Sequence, residues 1–348
     1  MRRLNLLTPG EEVRAGAKPL DADLIGDVEK VAQAVGWGEQ KPPLVGRGVS
    51  VGLLAAGAHP VSSAVCRLEA DGRVVVLVAT TEMGQGPRTA FAQIAAEEIG
   101  VDPEHVTVRG ADTRFTPYDR STGASRSTTI AGLAVQRAAA DIRAQLDRIA
   151  DASGIEPDDR LALMRRHFGF AGGELIGRGE VSPVGTGSYA EGPVFWEVCV
   201  GAAEVAVDPD TGFVHVRRTA TAADVGRAIN PQLVERQDEG ATLQGLGNAL
   251  FEEMVYEDGL LLNDTLLDYR VPSFEDLPEE MTCVIVENED GPGPYGAKGC
   301  GEGALAAVPA AVVNALADAG VPMRELPLTP ERVWRRIQDL KEEGKWQQ

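Results

Sequence analysis

Two stretches of this chain follow one plan, and that plan limits the architectures open to it. Residues 62–101 run through a strand-like segment, an Asp-Gly turn at Asp71–Gly72, a Val-rich strand, a Gly-rich loop and a helix. Residues 199–254 repeat the order, with a turn at Asp208–Gly212, a polar loop and a longer helix. Asp-Gly between alternating apolar runs is a hairpin signal, and such self-similarity marks duplicated supersecondary units. Hairpins followed by helices, rather than strict strand–helix alternation, predict an α+β fold of two or more hairpin-plus-helix α/β sandwich subdomains.

The remaining segments fit around these two units. Residues 1–60 read as a lead-in containing a short amphipathic helix over Leu24–Val35, after which EQKPPLVGRGVSVG turns extended. The first subdomain then covers 61–195 and the second 196–348. Thr129–Ala152 and Asp158–Phe168 are predicted helices, whereas GFAGGELIGRGEVSPVGTGSYAEGP reads as a loop-rich joint between the halves. TCVIVE is a strand leading to a helix over Ala304–Ala319, and Thr329 with Pro330 opens a last helix to about Glu343.

A net charge of −20 argues against nucleic acid or an anionic membrane as partner. It leaves room for a locally positive pocket, because Arg88, Arg126 and Lys298 fall near the Gly-rich loops. No apolar run suits a signal peptide or a membrane span, so the expected location is cytoplasmic. Four cysteines and four histidines lack ligand spacing, which gives a protein-ligated zinc or iron–sulfur centre no support.

Four loops carry polar groups in patterns that invite an anion. Met83-Gly84-Gln85-Gly86 lies between a strand and a helix, where backbone N–H groups and an amide can face a phosphate or sulfur; a tight two-glycine turn explains it equally. Ser121, Ser125, Ser127, Thr128 and Thr129 put hydroxyls at a helix start, as a binding loop or a generous cap would. Gln244 precedes Gly245-Leu-Gly247 inside a helical pattern, where close approach of a ligand or another helix is expected. Last, GAKGCGEGALAAVPAA (296–311) keeps one acid, Glu302, among glycines before a helix. It is either a dipole cap or a working carboxylate. None of these is a Walker loop or a G-x-G-x-x-G fingerprint.

In order, T-E-M-G-Q-G, A-S-x-S-T, GRAINP, E-G-x-x-x-Q-G-L-G and K-G-x-G-E resemble the xanthine dehydrogenase/aldehyde oxidase family of molybdenum hydroxylases. The likeness covers the C-terminal half of that family's molybdopterin-binding large subunit. It implies that Met83, Gly84, Gln85, Gly86, Ala124, Ser125, Ser127 and Gln244 contact a molybdopterin cofactor, in its cytosine dinucleotide form. Molybdenum would be held by the pterin dithiolene and by no side chain. Glu302 matches the family's general base, which takes a proton from the attacking oxygen.

The resemblance also implies partners: a second molybdopterin-binding subunit corresponding to the N-terminal half, an iron–sulfur (2Fe-2S) subunit and an FAD subunit. The substrate would be an N-heterocycle or an aldehyde. FGFAGG (168–173) imitates a loop of the missing half but lies elsewhere in the order. Where purine-oxidising members carry an aromatic clamp, the segment GRGVSVG has Val51 and Gly52, which disfavours xanthine. Cys300 replaces a small aliphatic residue. Two alternatives stay open: an aromatic-thioester dehydroxylating reductase of the same family, and a non-catalytic assembly module.

Overall fold

The computed structural model describes residues 4–110, 112–182 and 193–346. The elements are α1 (Leu24–Ala34), β1 (Val45–Ala56), β2 (Ser62–Glu69), β3 (Val74–Val78), α2 (Pro87–Ile99), β4 (Val106–Arg109), α3 (Gly132–Ser153) and α4 (Arg160–Phe168). There follow β5 (Glu174–Val181), β6 (Phe195–Val207), β7 (Val214–Asp224), α5 (Pro231–Leu250), β8 (Tyr256–Glu257), β9 (Leu260–Leu261), β10 (Glu280–Val286), α6 (Gly303–Asp318) and α7 (Pro330–Glu342).

Both predicted hairpins form, and each sits in the middle of a four-stranded sheet. The first sheet has the order β4-β3-β2-β5 and the second β10-β7-β6-β1. In each, the second hairpin strand gains a parallel neighbour through a helical crossover: α2 between β3 and β4, α5 between β7 and β10. In each, the first hairpin strand gains an antiparallel outer neighbour, β5 or β1. Mixed sheets with helices packed on them are the α+β arrangement expected.

Two readings of the sequence need correction. ELIGRGEV, within the expected loop-rich joint, is strand β5, paired with β2 along its whole length. The expected lead-in is no separate segment: where EQKPPLVGRGVSVG turns extended it supplies β1, which pairs with β6 from Val45↔Ala206 to Ala56↔Phe195. Both strands carry glycines, and both need them for the same reason. A β-carbon on Gly177 or Gly179 would overlap the Ala138 or Ala134 carbonyl oxygen of α3. One on Gly46 or Gly48 would overlap that of Ala315 or Ala311 on α6. These glycines let a helix backbone lie directly on the sheet. Residues 183–192 of the supposed joint lie outside the described residues.

The cores follow from this layering. Ile94, Ile99, Ile142 and Leu146 cover the first sheet. Val308, Val312, Leu316 and Leu246 cover one face of the second, and α1 covers its other face through Val28, Val31 and Val35. The helix boundaries come from local chemistry. Asp23, Asp159, Asn230 and Thr329 each accept a first-turn N–H, and Pro231 and Pro330 occupy the first helical position. No helix among the described residues is long and apolar enough to cross a membrane.

Candidate functional site

A cavity of about 310 Å³ opens between the two sheet units. It is lined by the predicted Met83, Gln85, Ser125, Ser127 and Glu302, together with Gln237 and Cys300. Four chain segments therefore converge there: the turn before α2, the loop before α3, the middle of α5 and the loop before α6.

Each loop is built so that its own polar groups hold its shape. In the first, Gln85 closes a local ring: its amide oxygen accepts from Met83 N–H at 2.8 Å and its amide nitrogen donates to the Thr81 carbonyl at 2.8 Å. Glu82 accepts from the N–H groups of Gly84 and Gly86, both at 3.1 Å. Gly84 and Gly86 have φ of +104° and +77°, a conformation glycine adopts at little cost. Gly86 also ends this loop as the residue before Pro87 of α2 and borders a smaller adjoining cavity of about 70 Å³.

The second loop is strained. Ala124 and Ser125 both have positive φ, +53° and +49°, a conformation that disfavours residues with a side chain. It is fixed from three sides. Gly57 N–H donates to the Ala124 carbonyl at 2.9 Å. Arg126, 2% exposed, pairs with Asp119 at 2.8 Å and donates to the carbonyls of Ser121 and Val61. Thr80 donates to the other Asp119 oxygen at 2.8 Å. Ser127 then opens a π-turn, Ser127–Ala131, that leads into α3.

The loop carrying Glu302 is pinned against it. A β-carbon on Gly299 would overlap the Ser125 carbonyl oxygen, so that glycine is what lets the two loops touch. Lys298, 2% exposed, reaches Asp21, Asp224 and Asp290 at 3.1, 2.9 and 3.0 Å. Burial works against its charge, but these carboxylates, Asp224 foremost, raise its pKa above the ordinary value. The expectation of a positive pocket is thus corrected for two residues: Arg126 and Lys298 are buried anchors whose charges are matched inside the protein.

Glu302 does not cap α6. It is the residue before the first helical turn, but its side chain makes no cap hydrogen bond. The cap comes from Glu197 on β6: its Oε1 accepts from the N–H of Glu302 at 2.9 Å and of Gly303 at 2.7 Å. The Glu302 carboxylate instead accepts from Ser125 Oγ at 3.2 Å, on the cavity wall. Sequence reasoning missed Glu197. The signal was an acid without a basic partner in the otherwise apolar strand FWEVCVGAAEVAV; the other acid, Glu204, has Arg47 at 2.7 Å.

Gly84 and Ala124 shape their loops without lining the cavity, and three further predicted residues stand away from it. Gln244 is exposed on α5 and lines a different cleft with Val271, Pro272 and Phe274. Gln237, two turns earlier on the same helix, occupies the place at the cavity. Val51 and Gly52 are within the second sheet. Gly52 faces α6, where a β-carbon would crowd Ala306 and Ala307, and Val51 packs on the opposite face beside the α1 cluster. Neither reaches the cavity, so the pair says nothing about a ring clamp. Cys300 does line it, with burial pushing its thiol far up, which keeps it protonated and a poor nucleophile.

GRAINP resolves into structural roles. Gly226 (φ +61°) lets the Gly296 carbonyl approach, Asn230 caps α5 through Leu233 N–H at 3.0 Å, and Pro231 starts it.

These loops and this two-sheet scaffold define a molybdopterin-binding module. Residues 27–278 match the model of the molybdopterin cofactor-binding domain, and the chain belongs to that family. It is 31% identical to the gamma subunit of the 6-hydroxypseudooxynicotine dehydrogenase complex of Paenarthrobacter nicotinovorans, over 97% of this chain and 48% of that one. It is 30% identical to the carbon monoxide dehydrogenase large chain of Hydrogenophaga pseudoflava, over 85% and 39%. Among solved structures, quinoline 2-oxidoreductase from Pseudomonas putida 86 matches with a TM-score of 0.74 and 28% identity, over 89% of this chain and 43% of that one. The chain spans about half the length, or less, of these relatives. Relatives include the molybdenum-binding subunit PaoC of an aldehyde oxidoreductase of Escherichia coli and, in the gamma subunit above, part of a dehydrogenase complex.

Proposed function

We propose that this chain forms one wall of a molybdenum hydroxylase active site, in which Glu302 is the general base for hydroxylation of an N-heterocycle or an aldehyde. The observation that carries this reading is the division of labour at the start of α6. Glu197 does the capping, and the Glu302 carboxylate is left on the cavity wall beside Ser125. A carboxylate with no structural duty, in a cavity lined by amides and hydroxyls, is placed for proton transfer.

The lining suits a pterin cofactor. Besides Glu302 and the paired Arg126, its polar groups include hydroxyls of Thr122, Ser125, Ser127 and Thr128 and amides of Gln85 and Gln237, which can serve the oxygens and ring nitrogens of a pterin phosphate. Met83, Gly84, Gln85, Gly86, Ala124, Ser125 and Ser127 are the residues proposed to hold it, with Gln237 added. The exposed Gln244 would contact it only through chain outside these residues. When bound, the molybdenum cofactor supplies the two-electron oxidation; Glu302 accepts the proton released from the attacking oxygen, and the packed loops keep that carboxylate in place. The cytosine dinucleotide form, and 2Fe-2S and FAD centres on partner subunits, complete the proposal.

The other wall would come from a polypeptide equivalent to the N-terminal half of the relatives' large chains. Its docking site is the arm between α5 and β10. Met254, Leu260, Leu262, Leu266, Leu267 and Phe274 are 53% to 93% exposed there, far more apolar surface than a solvent-facing segment carries. Glu253, Glu257, Asp258, Asp264 and Asp268 surround them, so the fitting partner is an apolar groove with a basic rim.

Glu302→Gln tests the central claim. It keeps size and hydrogen bonding but removes the proton acceptor, and general-base loss costs about 10²–10⁴-fold in rate. Reductive half-reaction kinetics on a complex with full metal and pterin content should show that loss; a rate within a few-fold of wild type would end the proposal.

A further inference from the structure

The cap that frees Glu302 raises a question of its own. Glu197 is 1% exposed. One oxygen takes two backbone N–H groups, while Oε2 is buried without a hydrogen-bond partner among the described residues. A buried ionised carboxylate with an unpaired oxygen is costly. The groups around it make ionisation harder: Glu302 stands beside it on the facing loop, and Cys199 on the same strand and Cys300 on the loop bring no positive charge. Burial raises the Glu197 pKa, against the pull of the Ser125 hydroxyl and the two amides. The Ser125 hydroxyl adjoins both carboxyls but has a single proton, and the contact to Glu302 at 3.2 Å competes for it.

We propose that Glu197 is a positioning residue that works as the neutral acid: it fixes the Glu302 backbone and leaves Glu302 as the single charged carboxylate at the cavity. The inference rests on the reading of Glu302 as the base. Two ionised carboxylates sharing Ser125 would repel and swing Glu302 off its contact; two neutral ones would leave no base. A neutral Glu197 behind and a charged Glu302 in front is the state that keeps both contacts.

Two variants separate the roles. Glu197→Gln keeps the cap acceptor and is permanently uncharged, whereas Glu197→Ala removes the cap. In the cofactor-loaded complex, Glu197→Ala should lower kcat on the order of 10- to 100-fold through a displaced base, with KM little changed, and Glu197→Gln should restore most of that loss. A Gln variant as impaired as Ala would overturn the neutral-acid assignment, and an unimpaired Ala variant would overturn the positioning role.

A second measurement needs no cofactor and no turnover. A carboxyl whose pKa is raised on folding binds more protons in the native state. Its cost is absent below the unfolded value of 4.5 and grows as pH rises from there to the folded pKa. The difference in melting temperature between Glu197→Gln and wild type should therefore move in favour of the variant as pH rises from about 4.5 to 7.5. A difference that is flat with pH, or that moves the other way, would show that Glu197 ionises freely. This melting result stands whatever Glu302→Gln does to turnover, so failure of the base assignment and failure of this inference are distinguishable.

Discussion

Superposing the two sheet units by their strand pairing sets Gly46 and Gly48 of β1 on Gly177 and Gly179 of β5. Their partners are Val205 and Ala203 in one unit and Cys66 and Ala64 in the other. The helix carbonyls these glycines approach are Ala315 and Ala311 on α6, and Ala138 and Ala134 on α3. Glu302 lies nine residues before Ala311, and Ser125 nine before Ala134. The two residues that meet across the cavity thus occupy matching positions in a duplicated plan. Each stands in a loop anchored by a buried cation, Lys298 in one unit and Arg126 in the other. The differences are where function enters. β6 extends beyond β2 at its N-terminal end and so delivers Glu197, whose counterpart by register, Ala58, lies in the turn before β2. The α5-to-β10 connection runs through residues 251–279, against residues 100–105 between α2 and β4. A shared scaffold, modified in one copy at a strand end and a crossover, accounts for both the acid and the docking arm.

The comparison is most easily broken at the glycines. Gly48→Val and Gly179→Val should each abolish the folded state, since both would force helix and sheet apart along their whole contact. Thermal unfolding that spared one of them would show that the two helix–sheet seats are not equivalent. The anchors come next. Removing one partner of a buried pair costs about 3–5 kcal/mol. Lys298→Met should exceed Arg126→Met, because it strands the buried Asp224 and also removes the pairs to Asp21 and Asp290, against the single buried Asp119; denaturant midpoints measure this. At the matched positions the asymmetry should appear in rate. Ser125→Ala removes one hydrogen bond to Glu302 and is expected to lower kcat about 10-fold, well short of the loss expected for Glu302→Gln, and single-turnover kinetics on loaded complex would rank them. The crossover helices give the smallest effect. Asn230 caps α5 with its side chain, whereas Gly86 before α2 makes no such bond. Asn230→Ala should cost about 1 kcal/mol and Asn230→Gly only a few tenths.

What the sequence revealed followed the range of the interactions. The helix starts at Leu24 and Thr329 and the hairpin turns at Asp71 and Asp208 are settled by residues within four positions, and these were readable; the Asn230 start of α5 was not placed. β5 was not readable, and β1 was read only as an extended end to the lead-in. A glycine in a strand looks like a loop signal until one knows that a helix 40 or 260 residues away must rest on it. The cavity residues Met83, Gln85, Ser125, Ser127 and Glu302 were found through motif order. Gln237 was passed over for Gln244 because the neighbouring glycines drew attention to the wrong turn of α5. Glu197 was invisible for a physical reason: its role exists only when β6 meets the loop before α6, 105 residues on.

The pairing of β1 with β6 also bears on how the chain reaches its native state. Gly46 finds its partner in Val205, and between them lies the whole of the first sheet with its three helices. The first unit is therefore a folded insertion within the second, able to close from contacts inside residues 62–181, while the second must wait for its most distant strand. Loop-closure entropy makes such non-local pairing slow. During synthesis the first sheet should acquire protease resistance well before the second, with β1 held as an unpaired strand until β6 emerges.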